Sequence, residues 1–353
     1  MTDTTMNQEE RTALRDTVRR LFADQCAESD VRRIMESDSG HDPALWRSLA
    51  ELGIAGLLVA AGAGGSQLSA VELELVMEEA GAALAPVPLI STAMASVLLD
   101  GELAEALATG RTIAAVALLG ALDWTGGSTM RIEGGRAQGT ARFVPDAGIA
   151  DIFLLASDEG VHLVERASAE ITPLPTFDRT RRMADVRFDG AAARIGDGAA
   201  ARRARDIGLI ALAGEQTGGA RRIFDITVDY ARERHQFGRA IGSFQAIKHM
   251  AADLLLEAES ATSAARNAAR QVAQGAAGKD AAVALATFAC ADAFLRCAKD
   301  GIQMHGGIAF TWDHPAHLYL RRARSGVQLF GDSRVWRDRY VAALDAMQKE
   351  MAA

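Results

Sequence analysis

Leu14, Val18, Leu21 and Phe22 recur at helical spacing with charged residues between them, so residues 7–37 are expected to form an amphipathic helix or a pair of helices. A second helix is expected to start at Asp42-Pro43, where an aspartate accepts from free N–H groups and proline has none to lose. It should run through Leu45, Trp46, Leu49 and Leu52 to Gly53. Residues 54–68 read as an apolar turn and then a glycine loop. Ser69 caps a helix over 71–83, Pro86 and Pro88 stop it, and residues 89–109 hold one or two more.

From Thr112 the period changes. Segments 113–119, 130–132, 137–143, 152–156, 161–165 and 184–188 are short, β-branched or alternating, and separated by glycine, proline or aspartate. That is the pattern of a small antiparallel sheet or barrel. Pro145-Asp146-Ala147 and Asp158-Glu159-Gly160 read as turns. After residue 200 helical spacing returns, with helices expected at 203–234, 244–273, 279–304, 316–328 and 333–350. Long helices joined by short loops make a bundle. The pattern thus divides the chain into an N-terminal helical domain (1–110), a middle β domain (111–200) and a C-terminal helical bundle (201–353).

At 353 residues the chain exceeds one ordinary domain, so two or three packed units are expected. A formal net charge of -8 argues against a nucleic-acid surface, and the arginine-rich stretches near 202 and 321 fall on solvated helix faces. Residues 1–20 lack the apolar core of a signal peptide, and apolar stretches are interrupted by charge or glycine. A soluble, cytoplasmic protein without a membrane partner is expected. Cys290 and Cys297 stand seven apart on one helix, too distant for a disulfide; with Cys26 they read as small buried apolar residues. His305, His314 and His317 lie close but lack cysteine or acidic companions at metal-ligand spacing, so no metal is expected.

The chemistry concentrates in residues 230–249, Tyr-Ala-Arg-Glu-Arg-His-Gln-Phe-Gly-Arg-Ala-Ile-Gly-Ser-Phe-Gln-Ala-Ile-Lys-His. The expected form is a helix reaching Phe237-Gly238, a break at Gly242, and a second helix through Phe244 and Gln245. Arg232, Arg234 and Arg239 surround a bend with free backbone donors, which suits a diphosphate; a solvated helix hairpin is the alternative the residues leave open. Gly62, Gly64 and Gly65 lack the βαβ frame of a nucleotide fingerprint.

Tyr-Ala-x-Glu-Arg-x-x-Phe-Gly followed by Ile-Gly-x-Phe-Gln closely resembles the signature of the acyl-CoA dehydrogenase family of flavoproteins. Gln303-Met304-His305-Gly306-Gly307-Ile308-Ala309-Phe310 resembles that family's later Gln-x-x-Gly-Gly-x-Gly-Phe/Tyr segment, and residues 60–65 its N-terminal Glu-x-x-Gly-Gly loop. The resemblance implies a mainly α fold with a central β domain: an N-terminal helical domain, a small β-barrel or sheet, and a C-terminal four-helix bundle. It implies removal of the α and β hydrogens of an acyl-CoA, with a carboxylate taking the proton and FAD the hydride. It places Arg234 and Gln245 at the diphosphate and adenosine of FAD and Phe237 at the adenine end. Gln303, Gly306 and Gly307 would approach the same cofactor across a subunit boundary, where glycines admit close backbone approach.

Relatives carry a Thr-Glu-Pro-x-Ala-Gly-Ser-Asp-like segment at the flavin ring. Residues 118–128 correspond to it and keep few of its groups, with Trp124, Thr125 and Ser128 as substitutes. Most relatives place the base in Tyr-Glu-Gly-Thr, a position held here by Phe330. Others place it 26 residues before the signature arginine, at Gly208 here. Glu215, seven residues on and about 10 Å along the same helix face, is the candidate base. Its apolar, glycine-rich setting would raise its pKa. Asp206 and Asp332 are further candidates.

Gly208 and Gly214 would leave room for a branched or polycyclic acyl chain. The resembled family's bacterial members that degrade sterol side chains and other bulky acyl-CoAs include mixed assemblies, and short chains without Tyr-Glu-Gly-Thr resemble the non-catalytic member. The expected function is therefore a subunit of a heteromeric acyl-CoA dehydrogenase, completing the FAD site of a second subunit as a dimer or dimer of dimers. A self-sufficient homo-oligomer with Glu215 as base is the alternative. Electron-transfer flavoprotein is a candidate redox partner, the sequence leaving the electron acceptor open, and the DNA-binding branch of the family is disfavoured by the negative charge.

Overall fold

The computed structural model describes residues 6–352, so the outermost positions of the expected end domains, 1–5 and 353, lie outside the described residues. The first helices are α1 (Gln8–Gln25), α2 (Glu28–Met35), α3 (Pro43–Glu51), α4 (Ala70–Ala82), α5 (Leu89–Ser96) and α6 (Gly101–Ala108). Asp42 caps α3 as the sequence implies, Oδ1 accepting from the Ala44 and Leu45 N–H groups at 3.0 and 3.1 Å.

Eight strands follow: β1 (Ala114–Leu118), β2 (Arg131–Glu133), β3 (Arg136–Pro145), β4 (Ile152–Ser157), β5 (Gly160–Glu165), β6 (Ala169–Pro173), β7 (Met183–Ala191) and β8 (Ala193–Gly196). They form two four-stranded sheets, ordered β1-β4-β5-β8 and β2-β3-β7-β6. Phe153 and Phe188 meet edge to face at 5.2 Å in the core between them. Pairing is antiparallel except between β1 and β4, which run parallel because the chain crosses through β2 and β3 of the other sheet before returning. The strands β6 and β8, unexpected from the sequence, are sheet edges with mostly exposed side chains, so neither carries an apolar alternation.

The remaining helices are α7 (Gly198–Glu233), α8 (Gln245–Ala273), α9 (Lys279–His305), α10 (Ala316–Gly326) and α11 (Ser333–Ala352), with a small hairpin, β9 (His235–Gln236) and β10 (Arg239–Ala240), after α7. The helix α7 begins earlier than expected because Asp197 accepts from the Ala200 N–H at 2.8 Å, a cap hidden among small residues.

The chain forms two compact units. One gathers the start of α1, Gln25–Leu73 and Pro86–Ala211; the other gathers Arg15–Asp24, Glu74–Ala85 and residues 212 onward. In the second unit α9 packs against α8, α10 and α11 as the central helix. The stretch Lys279–Phe310 is long and apolar enough to cross a membrane by length and composition, although Asp292, Arg296 and Lys299 interrupt it. Its most apolar window is 67% buried, because an alanine-rich helix at a bundle centre meets the same composition test. Cys26, Cys290 and Cys297 are buried and outside any disulfide among the described residues, and burial pushes the Cys297 thiol up to about 12.

Glycines set how closely α4 and α7 approach in this unit. A Cβ at Gly218 would fall 1.7 Å from the Glu78 carbonyl oxygen, one at Gly81 1.9 Å from that of Glu215, and one at Gly214 2.6 Å from that of Glu74. The two backbones therefore touch with no side chain between them.

Candidate active site

The signature segment departs from the expected helix–turn–helix. The helix ends at Glu233, and residues 235–240 fold into the β9–β10 hairpin, with Arg239 opposite Gln236 and Ala240 opposite His235. Phe237 and Gly238 turn it with φ of 53° and 76°, the positive values a two-residue hairpin loop requires. The Ile241 N–H then donates to the Arg234 carbonyl at 2.8 Å, fixing the hairpin to the end of the helix. Phe237 is thrust out, 91% exposed. Arg239 lies 4.0 Å over the Phe244 ring, and Arg232 pairs with Asp229 at 3.3 Å. Arg234 is exposed and forms no ion pair among the described residues. Gln245 opens α8, whose N-cap Phe244 supplies no side-chain acceptor, so the first N–H groups of a 29-residue helix are free for an anion.

The second segment sits at the end of α9. Gln303, Gly306 and Gly307 are exposed, and a Cβ on either glycine would have no atom within 4 Å, leaving open backbone. Gly306 adopts φ 69° and ψ -147°, a conformation open essentially to glycine alone. Beneath it, the buried His305 uses Nδ1–H to donate to the Gly301 carbonyl at 2.7 Å, and burial lowers its pKa. Its ring lies 4.5 Å from Tyr230 and 4.4 Å from His314. Because the Arg234 N–H donates to the Tyr230 carbonyl, this stack joins the roots of both motifs through Tyr230 and His305, 75 residues apart in sequence. Past the glycines, Ile308, Phe310 and Trp312 are exposed. A free guanidinium, free helix-end donors, open glycine backbone and exposed aromatic rings fit a dinucleotide with a diphosphate.

The loop corresponding to the flavin-ring segment closes on itself. Asp123 Oδ1 accepts from the Thr125 N–H and hydroxyl, both at 2.8 Å, while Oδ2 accepts from the Ser128 N–H at 3.0 Å. Burial opposes ionisation of Asp123, but these hydrogen bonds outweigh it and lower the pKa. The Thr125 hydroxyl accepts from the Gly127 N–H at 3.0 Å, the Ser128 hydroxyl from the Arg142 N–H at 3.2 Å, and Trp124 leans on Phe143. The substitutes proposed from the sequence are thus engaged in the fold of their own loop.

Each position considered for the base has an occupant or a partner. Phe330 is buried in a left-handed conformation, φ 64°, its carbonyl accepting from Trp336 Nε1 at 3.0 Å. A Cβ at Gly208 would fall 2.7 Å from the sulfur of Met94. Asp206 is buried and takes two hydrogen bonds from Arg205, at 2.7 and 3.0 Å. Asp332 caps α11, accepting from the Arg334 and Val335 N–H groups at 2.9 and 3.1 Å. Glu215 is buried as expected, but its Oε2 accepts from Arg322 Nη1 at 2.9 Å, and that guanidinium is buried too. The apolar setting inferred from sequence omitted this partner. The expected room at Gly208 and Gly214 is likewise absent, since Met94 fills one and the α4 backbone the other.

Residues 8–106 match the family model of the acyl-CoA dehydrogenase N-terminal domain, and residues 196–344 that of the C-terminal domain. The chain is 36% identical over 331 residues to acyl-CoA dehydrogenase IpdE2 of Mycolicibacterium smegmatis, covering 92% of this chain and 96% of that one. Among solved structures, it is similar to a variant of the Tcur3481-Tcur3483 steroid ACAD (TM-score 0.88, 28% identity, 97% of this chain and 99% of that one). It is also similar to the ChsE4-ChsE5 complex of Mycobacterium tuberculosis (TM-score 0.85, 26% identity, 99% of each). The chain belongs to the acyl-CoA dehydrogenase family, whose members are flavoprotein oxidoreductases acting on acyl-CoA thioesters.

Proposed function

We propose that this chain is one subunit of a heteromeric, FAD-dependent acyl-CoA dehydrogenase, joined with a second family member that carries the base. The observation that carries this reading is the fate of the base positions: Phe330 and Gly208 have no carboxylate, and the carboxylate of Glu215 is engaged by Arg322. The closed Asp123–Ser128 loop supports it from the ring side. The two similar solved structures whose descriptions pair two proteins support it from outside the chain.

When bound, FAD supplies the hydride acceptor of an α,β-dehydrogenation. This chain's part is to hold the dinucleotide: Arg234 and the first turn of α8 for the diphosphate, Phe237 for an aromatic face, and Gln303, Gly306 and Gly307 for close backbone approach. The steroid description of one relative supports a bulky acyl group. The test is anaerobic mixing of acyl-CoA with the chain purified alone and with the chain co-purified with the second subunit. Flavin bleaching is expected only in the second preparation, and bleaching by the chain alone would favour the homo-oligomer with its own base.

A further inference from the structure

The helix α10 carries one stripe of three contacts. Tyr319, Arg322 and Gly326, spaced by three and four residues, lie on one face. The Tyr319 hydroxyl donates to the Ala82 carbonyl at 2.7 Å, satisfying a free acceptor at the end of α4. Arg322 donates to Glu215 on α7, and Gly326 packs so closely that a Cβ there would lie 3.1 Å from Gln216 Nε2. On the far side, Gly81 of α4 is pressed against the carbonyl of the same Glu215. The helix α10 is thereby docked onto the α4–α7 crossing, with the ion pair at the centre of the stripe.

What leaves α10 needs holding. The chain turns from it through Phe330 and Gly331, with φ of 64° and 108°. A bulky residue in the left-handed region costs of order 1–3 kcal/mol and persists only where its surroundings over-determine it. Trp336 holds this turn from the far side, donating to the Phe330 carbonyl. The near side depends on the rotation of α10. Apolar packing alone leaves the rotation of an 11-residue helix loosely set, whereas a buried charge pair tolerates only one.

We infer that Glu215 and Arg322 are positioning residues, a buried pair that fixes the rotation of α10 and so the strained turn at Phe330–Gly331, where relatives carry their base. This assigns Glu215 a role without proton transfer and rests on the reading that a second subunit supplies the base.

The experiment is done in whichever assembly reduces its flavin with acyl-CoA. Glu215→Gln keeps an acceptor for Arg322, and is expected to leave the rate within about threefold and the acid limb of its pH profile unmoved. Arg322→Met strands a buried carboxylate, and should shift the unfolding equilibrium about 10²–10³-fold with loss of bound FAD. Glu215→Met combined with Arg322→Met removes the stranded charge together with the constraint on α10, and should recover the unfolding equilibrium while FAD content and rate stay at least threefold below the parent. A Glu215→Gln protein that keeps FAD and fold but no longer reduces flavin would overturn the inference, as would a folded double variant with the parent's FAD content and rate. An isolated chain that reduces flavin with Glu215→Gln as well as without it would refute the mixed assembly alone and leave the positioning role standing.

Discussion

Glu74 gives a quantitative handle on the helical unit. It lies on α4 at the crossing with α7, is 2% exposed, and its Oε1 has no hydrogen-bond partner. Burial, helped by the charge of Glu78 four residues on and offset in part by Arg266 and Arg15, pushes its pKa from 4.5 up to about 8. Glu78 itself pairs with Arg15 and with Arg266. The sign follows directly. The unfolded chain releases the Glu74 proton near pH 4.5 and the folded chain near pH 8, so stability falls across that window and levels off above it. A shift of that size, at about 1.4 kcal/mol per unit, bounds the loss at about 5 kcal/mol; coupling to Glu78 makes roughly 2–5 kcal/mol the range to test. With an unfolding entropy of about 0.7 kcal/mol/K for a chain this long, the midpoint should fall by roughly 3–7 °C from this group. The assay is the midpoint of Glu74→Gln and the parent at matched protein concentration from pH 5 to pH 9. The variant should gain on the parent steadily up to pH 8 and hold that gain above it. Parallel curves across the range would refute a neutral Glu74.

Gly218→Ala places a methyl 1.7 Å from the Glu78 carbonyl, so α4 must move; a loss of about 3 kcal/mol is expected by denaturant titration. Gly306→Ala forces a side chain into φ 69°, ψ -147°, and should cost about 1–3 kcal/mol and lower FAD retention on gel filtration. Arg234→Gln removes a charged diphosphate donor and should weaken FAD binding about 10–100-fold by fluorescence titration, with the fold unchanged in circular dichroism. Phe330→Glu restores a carboxylate at the usual base position, yet the isolated variant should remain unbleached by acyl-CoA, because Thr125 and Ser128 stay bonded within their own loop.

The helical parts were legible because long amphipathic periods and a capping aspartate at Asp42 are local signals, and the two motifs were legible because their spelling is. What escaped lay below or beyond local pattern. Two-residue strands such as His235–Gln236 have no period to detect, so the signature turn read as a bend between helices. Edge strands like Ala193–Gly196 expose their side chains and resemble loops. The order of strands, and hence the parallel pair, depends on a crossing that composition does not encode. At the site, Glu215 read as a lone carboxylate because its partner is 107 residues away. Gly214 suggested space, whereas the structure uses the absent side chain to bring α4 into contact. A glycine marks closeness or emptiness with the same letter. The spacing of Gly214 and Gly218, one turn apart on a helix, was the signal that favoured closeness.

The most direct measurement is the number of FAD molecules per polypeptide, taken by flavin absorbance and quantitative amino-acid analysis on the isolated chain and on its complex with the base-bearing subunit. The expected result is little or no flavin on the isolated chain and one FAD per pair of unlike chains in the complex. One tightly held FAD per chain in the isolated protein, reduced on addition of acyl-CoA, would contradict a flavin site completed only by a second kind of subunit.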